Sequence, residues 1–293
     1  MKFGPRHWIY IPPIFLGLYA LVLGYNLIAV RGVFAPRHPL SEAPGTAVAA
    51  GTSGHRIVGR LFVTGPPDPS HPLIVLLHGD APFVNPAYQY SVAKAIANDI
   101  PGTRVIALLR PGYSDPYGEK SEGNRGFSSG ENYTPTVIDD LANAIATLKE
   151  QYAAPSLILA GHSGGATLTA DIAALHPGLV QQAILVSCPC DVPAFRHHMW
   201  QFQHAPLWLF PTHSISPLDA LVHADKNLAI TAISGADDPL ALPPYADAYV
   251  KKANSQGITA TMVLLPQKQH EIFTERAVID AIAQAATPNG SAR

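Results

Sequence analysis

From residue 57 onward, short unbroken apolar runs alternate with stretches whose apolar positions fall three and four apart. Leu73–Leu77 (LIVLL) and Val105–Leu109 (VIALL) are apolar at every position, the pattern of a strand covered on both faces. Leu157–Ala160, Ala183–Ser187, Ile230–Ile233 and Ala260–Leu265 supply further strands, and the alternating, β-branched Ile57–Val63 predicts the first. Helical spacing runs from about Pro86 to Ala97. Val137, Leu141, Ile145 and Leu148 place a helix over Thr134–Tyr152, Gly165–Leu175 predicts another, and the last covers about Thr274–Ala285. Strands alternating with helices predict an α/β fold with a doubly wound, mostly parallel sheet. Two stretches break the rhythm. Gly112–Tyr133 is rich in Gly, Ser, Asn and charge, and structureless loops of that length are uncommon unless functional. Asp191–Asp225 holds Phe195, Trp200, Phe202, Trp208 and Phe210 with five histidines, and reads as a small cap inserted after a strand.

The N-terminus differs from the rest. Trp8–Val30 carries no charged residue, and about 20 apolar residues in a helix cross a bilayer. The run is therefore expected to be a membrane helix, interrupted near its start by Pro12-Pro13. A cleaved signal peptide competes, with Val33-Phe34-Ala35 as its cleavage site, although signal cores usually span about 7–15 residues; an internal core helix is the third reading. Lys2 and Arg6 on one side balance Arg31 and Arg37 on the other, so charge leaves the orientation open. Residues 36–55 are dominated by Pro, Gly, Ala and Ser without periodicity, as in a flexible linker. The chain thus divides into an anchor or signal segment (1–35), a linker (36–55), an α/β domain (56–287, cap at about 191–225) and a tail (288–293). The expected location is membrane-anchored with the domain outside the cytoplasm, or secreted if the segment is cleaved.

Composition narrows the partners. Nineteen basic residues against 21 acidic give a net charge of −2 without a basic stripe, which excludes nucleic acid as the main partner. Thirteen histidines are present, but none falls at a dedicated metal spacing. No metal or cofactor is expected, and His197, His198, His204, His213 and His223 are assigned to the cap's surface or pocket wall. Cys188 and Cys190, one residue apart, form no disulfide framework; packing or turn formation is expected of them rather than a mutual bridge.

The chemistry-bearing motif is Gly161-His162-Ser163-Gly164-Gly165, directly after LILA and before ATLTADIAAL. A serine on so sharp a strand–helix turn presents its hydroxyl above the sheet. The Gly164 N–H, at the helix start, addresses the same space and can stabilise an oxyanion.

In this setting the region from about 57 to 286 resembles the α/β-hydrolase superfamily. The resemblance implies a triad in the chain order Ser–Asp–His, with Ser163 as nucleophile and His270 of KQHEIF as general base. The acid lies in SGADDP: Asp238, three residues after Gly235, with Asp237 as the competing candidate. LLHGD (Leu76–Asp80) resembles the family's oxyanion loop, so the Asp80 N–H joins that of Gly164, with Ala81 the second candidate donor. Arg110-Pro111-Gly112-Tyr113-Ser114 resembles a loop that is structural in the family. An ionised carboxylate near an oxyanion is unfavourable, so Asp80 is expected to offer only its backbone, its side chain turned away or paired. Serine at position 163 disfavours epoxide hydrolase and haloalkane dehalogenase chemistry, which use aspartate there. The implied activity is serine hydrolysis of a small-molecule carboxylic ester through an acyl-enzyme. Alternatives are a peptidase or amidase of the prolyl-aminopeptidase type, with Glu131, Asp139 or Asp191 receiving an amine; a thioesterase; and a non-catalytic binding module.

Removing residues 1–35 is expected to shift the protein from the membrane pellet to the soluble fraction with its hydrolytic activity intact. Full-length chain with an intact N-terminus in the soluble fraction would count against the anchor.

Overall fold

The structure, a computed structural model, describes residues 11–25, 44–82 and 84–287. Its centre is an eight-stranded sheet: β1 (Thr46–Ala50), β2 (Ile57–Phe62), β3 (Leu73–Leu77), β4 (Val105–Leu108), β5 (Leu157–His162), β6 (Gln182–Val186), β7 (Ala229–Gly235) and β8 (Thr259–Leu265), in the order β1-β2-β4-β3-β5-β6-β7-β8. The pairs β1–β2 and β2–β4 are antiparallel and all others parallel. Every residue of β3, β4 and β5 is buried, which accounts for their unbroken apolar sequences.

Alternate residues of β3 enter opposite layers. Ile74 and Leu76 pack with α2 (Tyr88–Asp99) and α8 (Arg276–Ala286). Leu73, Val75 and Leu77 pack with α3 (Pro135–Gln151), α4 (Gly164–Leu175) and α7 (Pro243–Ser255). The start of α3 is set by Thr134, whose hydroxyl accepts from the Val137 N–H, and by Pro135 in the first turn, where its missing N–H costs nothing. Helix α7 has no counterpart among the predicted elements. Its two leading prolines mask a helix whose Ala246, Tyr249, Val250 and Ala253 share one buried stripe.

The expected linker 36–55 needs correction where it is described. Thr46–Ala50 is an edge strand in register with Ile57–Phe62, from Thr46↔Leu61 to Ala50↔Ile57. TAVAA carries small side chains and only Ala50 is fully buried, so backbone pairing rather than apolar patterning makes it a strand. At the N-terminus, α1 (Ile11–Tyr25) begins at the Pro12-Pro13 pair. The rest of the run Trp8–Val30, the cleavage candidate Val33-Phe34-Ala35 and the tail 288–293 lie outside the described residues. Among the described residues no helix is long and apolar enough to cross a membrane.

The cap consists of α5 (Val192–Gln203), a 3-10 turn at Pro206–Leu209, α6 (Pro217–Ala220) and a second 3-10 turn at Leu221–His223. At its root, just past β6, Cys188 and Cys190 form a disulfide, against expectation. Positions two apart in a chain share a side, and the backbone around Pro189 brings their Cα atoms to 5.1 Å, within reach of a bridge. Both cysteines are buried, and the Cys190 carbonyl accepts from the Leu218 N–H, joining this root to α6.

A chain beginning near residue 44 is expected to match the stability of longer ones. Beginning at residue 56 removes β1 and should cost on the order of 2–4 kcal/mol from lost pairing, read as a lower denaturant midpoint. Equal midpoints would restore the linker reading for 44–55.

Candidate active site

Ser163 sits between β5 and α4 at φ 52° and ψ −121°, a left-handed conformation costing a non-glycine residue about 1–3 kcal/mol. Flanking bonds hold it there: its N–H donates to the Val186 carbonyl at 2.8 Å, and its carbonyl accepts from Ala166 N at 2.8 Å. The turn is tight enough that a Cβ on Gly161 would lie 2.1 Å from the Gly165 carbonyl oxygen, hence glycine there.

Two strand ends bring the partners. His270 follows β8, and its Nε2 lies 2.9 Å from Ser163 Oγ. Asp238 follows β7, and its Oδ2 lies 2.9 Å from His270 Nδ1. The other Asp238 oxygen accepts from the N–H groups of Leu240 and Ala241 at 2.9 and 3.1 Å. Asp238 is buried, whereas Asp237 is exposed, so of the two candidates only Asp238 meets His270.

The main chain of His270 is anchored as well, by residues that sequence reasoning did not assign. Its carbonyl accepts from Ser187 Oγ at 2.8 Å and from His162 Nε2 at 3.1 Å. His162 Nδ1 accepts from Tyr88 Oη at 2.9 Å, and Tyr88 Oη accepts from Gly79 N at 2.6 Å. This chain fixes His162 as the Nε2–H tautomer. Burial, with the neighbouring His270 charge, lowers its pKa from 6.5 to about 4. His78 is also kept neutral, chiefly by burial; its Nδ1–H donates to the Gly79 carbonyl and its Nε2 accepts from Arg110 N. The motif's central His162 was visible in the sequence; Tyr88 and Ser187 had no motif to mark them.

Asp80 is paired, as its position requires. One oxygen accepts from Arg110 Nη1 at 2.8 Å. The other accepts from Gly130 N at 2.9 Å and Tyr133 Oη at 2.6 Å. Arg110 is 1% exposed, with its guanidinium carbon 5.3 and 5.7 Å from the ring centres of Tyr113 and Tyr133. Burial opposes the Arg110 charge, but the Asp80 carboxylate outweighs it and raises the pKa. Tyr133 is held neutral by burial and by the adjoining Asp80 charge. The Asp80 carboxylate lies against Gly164, where an added Cβ would sit 2.5 Å from Oδ1. The Ala81 N–H donates to Tyr113 Oη at 3.4 Å, while the Asp80 N–H has no partner among the described residues.

Above Ser163 and His270 lies a pocket of about 230 Å³. The loop between β4 and α3 contributes Phe127, Ser128 and Ser129; the cap contributes Phe195, Met199, Gln203, Leu207 and Trp208; Leu240 and Glu271 complete it with Asp80 and Pro82. Phe195 and Trp208 meet edge to face with centroids 5.8 Å apart. Arg196 holds this arrangement by donating to the carbonyls of Leu207, Trp208 and Phe210. Trp200, Phe202 and Phe210, grouped with these aromatics in the sequence, lie outside the pocket. The cap histidines lie outside it too: His198 contacts the Pro239 carbonyl and His197 contacts Gln201. Of the three acids considered for amine binding, Glu131 is bound by Phe127 N and Ser128 Oγ, Asp139 by His176, and Asp191 caps α5. None lines the pocket. Among the described residues, ligand atoms of His162, His270 and Glu271 lie within 4.8 Å of one another. Both ring nitrogens of each histidine are already engaged in the bonds above, which leaves neither ring a free nitrogen for a metal ion.

Comparison with known proteins agrees with this architecture. Residues 74–284 match the Alpha/beta hydrolase family, and the chain belongs to it. No curated protein matches the sequence. Similar solved structures include an esterase from Pyrobaculum calidifontis, with TM-score 0.56, 17% identity and 82% of each chain covered. Est1E from Butyrivibrio proteoclasticus, solved with ferulic acid bound, gives TM-score 0.61 at 14% identity, covering 81% of this chain and 97% of that one. The acylaminoacyl peptidase of Pyrococcus horikoshii gives TM-score 0.57 at 14% identity, covering 82% of this chain and 39% of that one.

The lowered His162 pKa makes stability pH-dependent. Below pH 6.5 the unfolded chain takes up a proton that folded His162 refuses until about pH 4. This contribution is fully present above pH 6.5 and is lost as pH falls toward 4, on the order of 3 kcal/mol in all. NMR titration of the His162 ring should give a midpoint near 4; a midpoint near 6.5 would show that the ring is not held as described.

Proposed function

We propose that the protein hydrolyses carboxylic esters of small-molecule acids through an acyl-enzyme on Ser163. The observation that carries this reading is the unbroken path Ser163 Oγ–His270 Nε2, His270 Nδ1–Asp238 Oδ2, with both distances 2.9 Å, at the floor of a pocket. His270 accepts the hydroxyl proton as Ser163 Oγ attacks the ester carbonyl, and Asp238 orients the ring and stabilises its charged form. The N–H groups of Gly164 and Asp80 receive the oxyanion. Collapse of the tetrahedral species breaks the ester C–O bond, and the leaving alkoxide takes the proton from His270. Water, deprotonated by His270, then attacks the acyl-enzyme, releasing the acid and restoring Ser163. The paired carboxylate of Asp80 leaves its own N–H as the donor and keeps its charge compensated by Arg110.

The structurally similar proteins include esterases and an acylaminoacyl peptidase alike. The preference for esters over amine-bearing peptides is supported by the absence of Glu131, Asp139 and Asp191 from the pocket, since the amine-binding alternative depended on them. The pocket's small volume and largely apolar wall suit a short or medium acyl group. Its apolar N-terminal run tethers the domain to a membrane in this reading, with the domain outside the cytoplasm.

The test is kinetic. Ser163→Ala is expected to remain folded, to resist a fluorophosphonate probe and to lose on the order of 10⁴–10⁶ in turnover. Asp238→Asn should lose about 10⁴ through the wrong imidazole tautomer, whereas Asp237→Asn should lose less than about tenfold, ~1.4 kcal/mol in barrier. Wild-type turnover in Ser163→Ala would refute the reading, and the reverse ranking of the two aspartates would transfer the acid's role.

A further inference from the structure

Glu271 is the residue after His270, and its exposed side chain lines the Ser163 pocket. Among the described residues, the pocket wall contains two carboxylates, Asp80 and Glu271, and no lysine or arginine. The first is compensated by Arg110 and hydrogen-bonded by Gly130 and Tyr133. Glu271 makes no hydrogen bond or ion pair among the described residues, and the nearby Lys268 is engaged with Glu275 at 2.7 Å. Arg196, on the cap helix α5, is not among the lining residues; it donates to cap carbonyls, and its guanidinium carbon lies 5.5 Å from the ring centre of Trp208. Among the described lining residues Glu271 is thus the carboxylate without an ion-pair partner, with an oxygen within 4.8 Å of nitrogens on His162 and His270.

The remaining wall suits a specific partner. Phe127 and Phe195 line the same small space, together with Trp208, which already carries the Arg196 guanidinium over its ring. Aromatic faces attract an organic cation through their quadrupole, and a carboxylate attracts it through charge. An anionic group placed there would meet Glu271, with no lysine or arginine among the described lining residues to balance it. On the ester-hydrolase reading above, we propose that Glu271 makes this site select esters carrying an alkylammonium group over neutral and anionic ones. At a separation of roughly 6–8 Å in the intermediate dielectric of a partly open pocket, one charge changes relative kcat/KM by about threefold to tenfold.

The experiment compares two p-nitrophenyl esters of one shape: a trimethylammonio-butyrate, and its carbon isostere with a tert-butyl group in place of the cation. The ratio of kcat/KM, cationic over neutral, is measured for the full-length wild type and for Glu271→Gln. The ratio should exceed one in the wild type and fall at least about threefold in Glu271→Gln. It should also fall with added salt in the wild type, as expected for an exposed charge, and be nearly salt-independent in the variant. An unchanged or higher ratio in Glu271→Gln, or a salt-independent wild-type ratio, overturns the proposal. A wild-type chain that cleaves neither ester overturns the hydrolase reading and this inference with it. Cleavage of both with identical ratios in the two chains overturns the inference alone.

Discussion

The buried pair of Asp80 and Arg110 is the joint on which the site's geometry depends. Asp80 follows β3 and Arg110 follows β4, so the 2.8 Å contact locks two adjacent strand ends together. The second Asp80 oxygen draws in Gly130 from the long loop and Tyr133 from the approach to α3. The same carboxylate rests against Gly164, the residue after the serine. One charged group therefore sets the spacing between the loop after β3, the long loop and the start of α4. Leaving either member unpaired in this environment would cost several kcal/mol. A neutral side chain at position 80 would remove the contact that restrains the loop forming the pocket's wall.

Around this joint, hydrogen bonds position atoms that the sheet alone would leave free to move. The left-handed backbone at Ser163 is held from both sides by the Val186 carbonyl and the first turn of α4. The His270 side chain reaches Asp238 and Ser163, while its carbonyl is fixed by Ser187 and His162. Neutral His162 keeps its Nδ1 lone pair for the Tyr88 hydroxyl at ordinary pH, and a charged ring beside His270 would oppose the imidazolium that the proposed mechanism forms there.

Legibility in the sequence followed the length of each signal. Strands covered on both faces, such as Leu73–Leu77, appear at their observed bounds because burial forces every residue to be apolar. Gly161–Gly165 was legible because the turn leaves no space for larger residues. Asp238, His270 and Asp80 were legible through the resemblance of SGADDP, KQHEIF and LLHGD to the family's motifs, and the pairing of the Asp80 side chain through the need to compensate its charge. The edge strand Thr46–Ala50 was hidden because it is defined by pairing and not by burial. Helix α7 was hidden behind its prolines, and the Cys188–Cys190 bridge required the local path of the backbone. Tyr88, Ser187 and the choice of Trp208 over Trp200 depend on contacts between segments far apart in the chain, which no local pattern encodes.

The order in which the sheet delivers its residues has a consequence for synthesis. Ser163 and His270 are 107 residues apart in the chain. At a ribosomal rate of about 5–20 residues per second, the serine precedes its proposed base by roughly 5–20 s. His270 can seat only after β8 has joined β7 and brought the following loop to the elbow. A nascent chain in that interval carries the serine, the loop after β3 and the cap, but not the proposed base for the hydroxyl proton. On the proposed mechanism, translation itself withholds turnover until the domain is nearly complete.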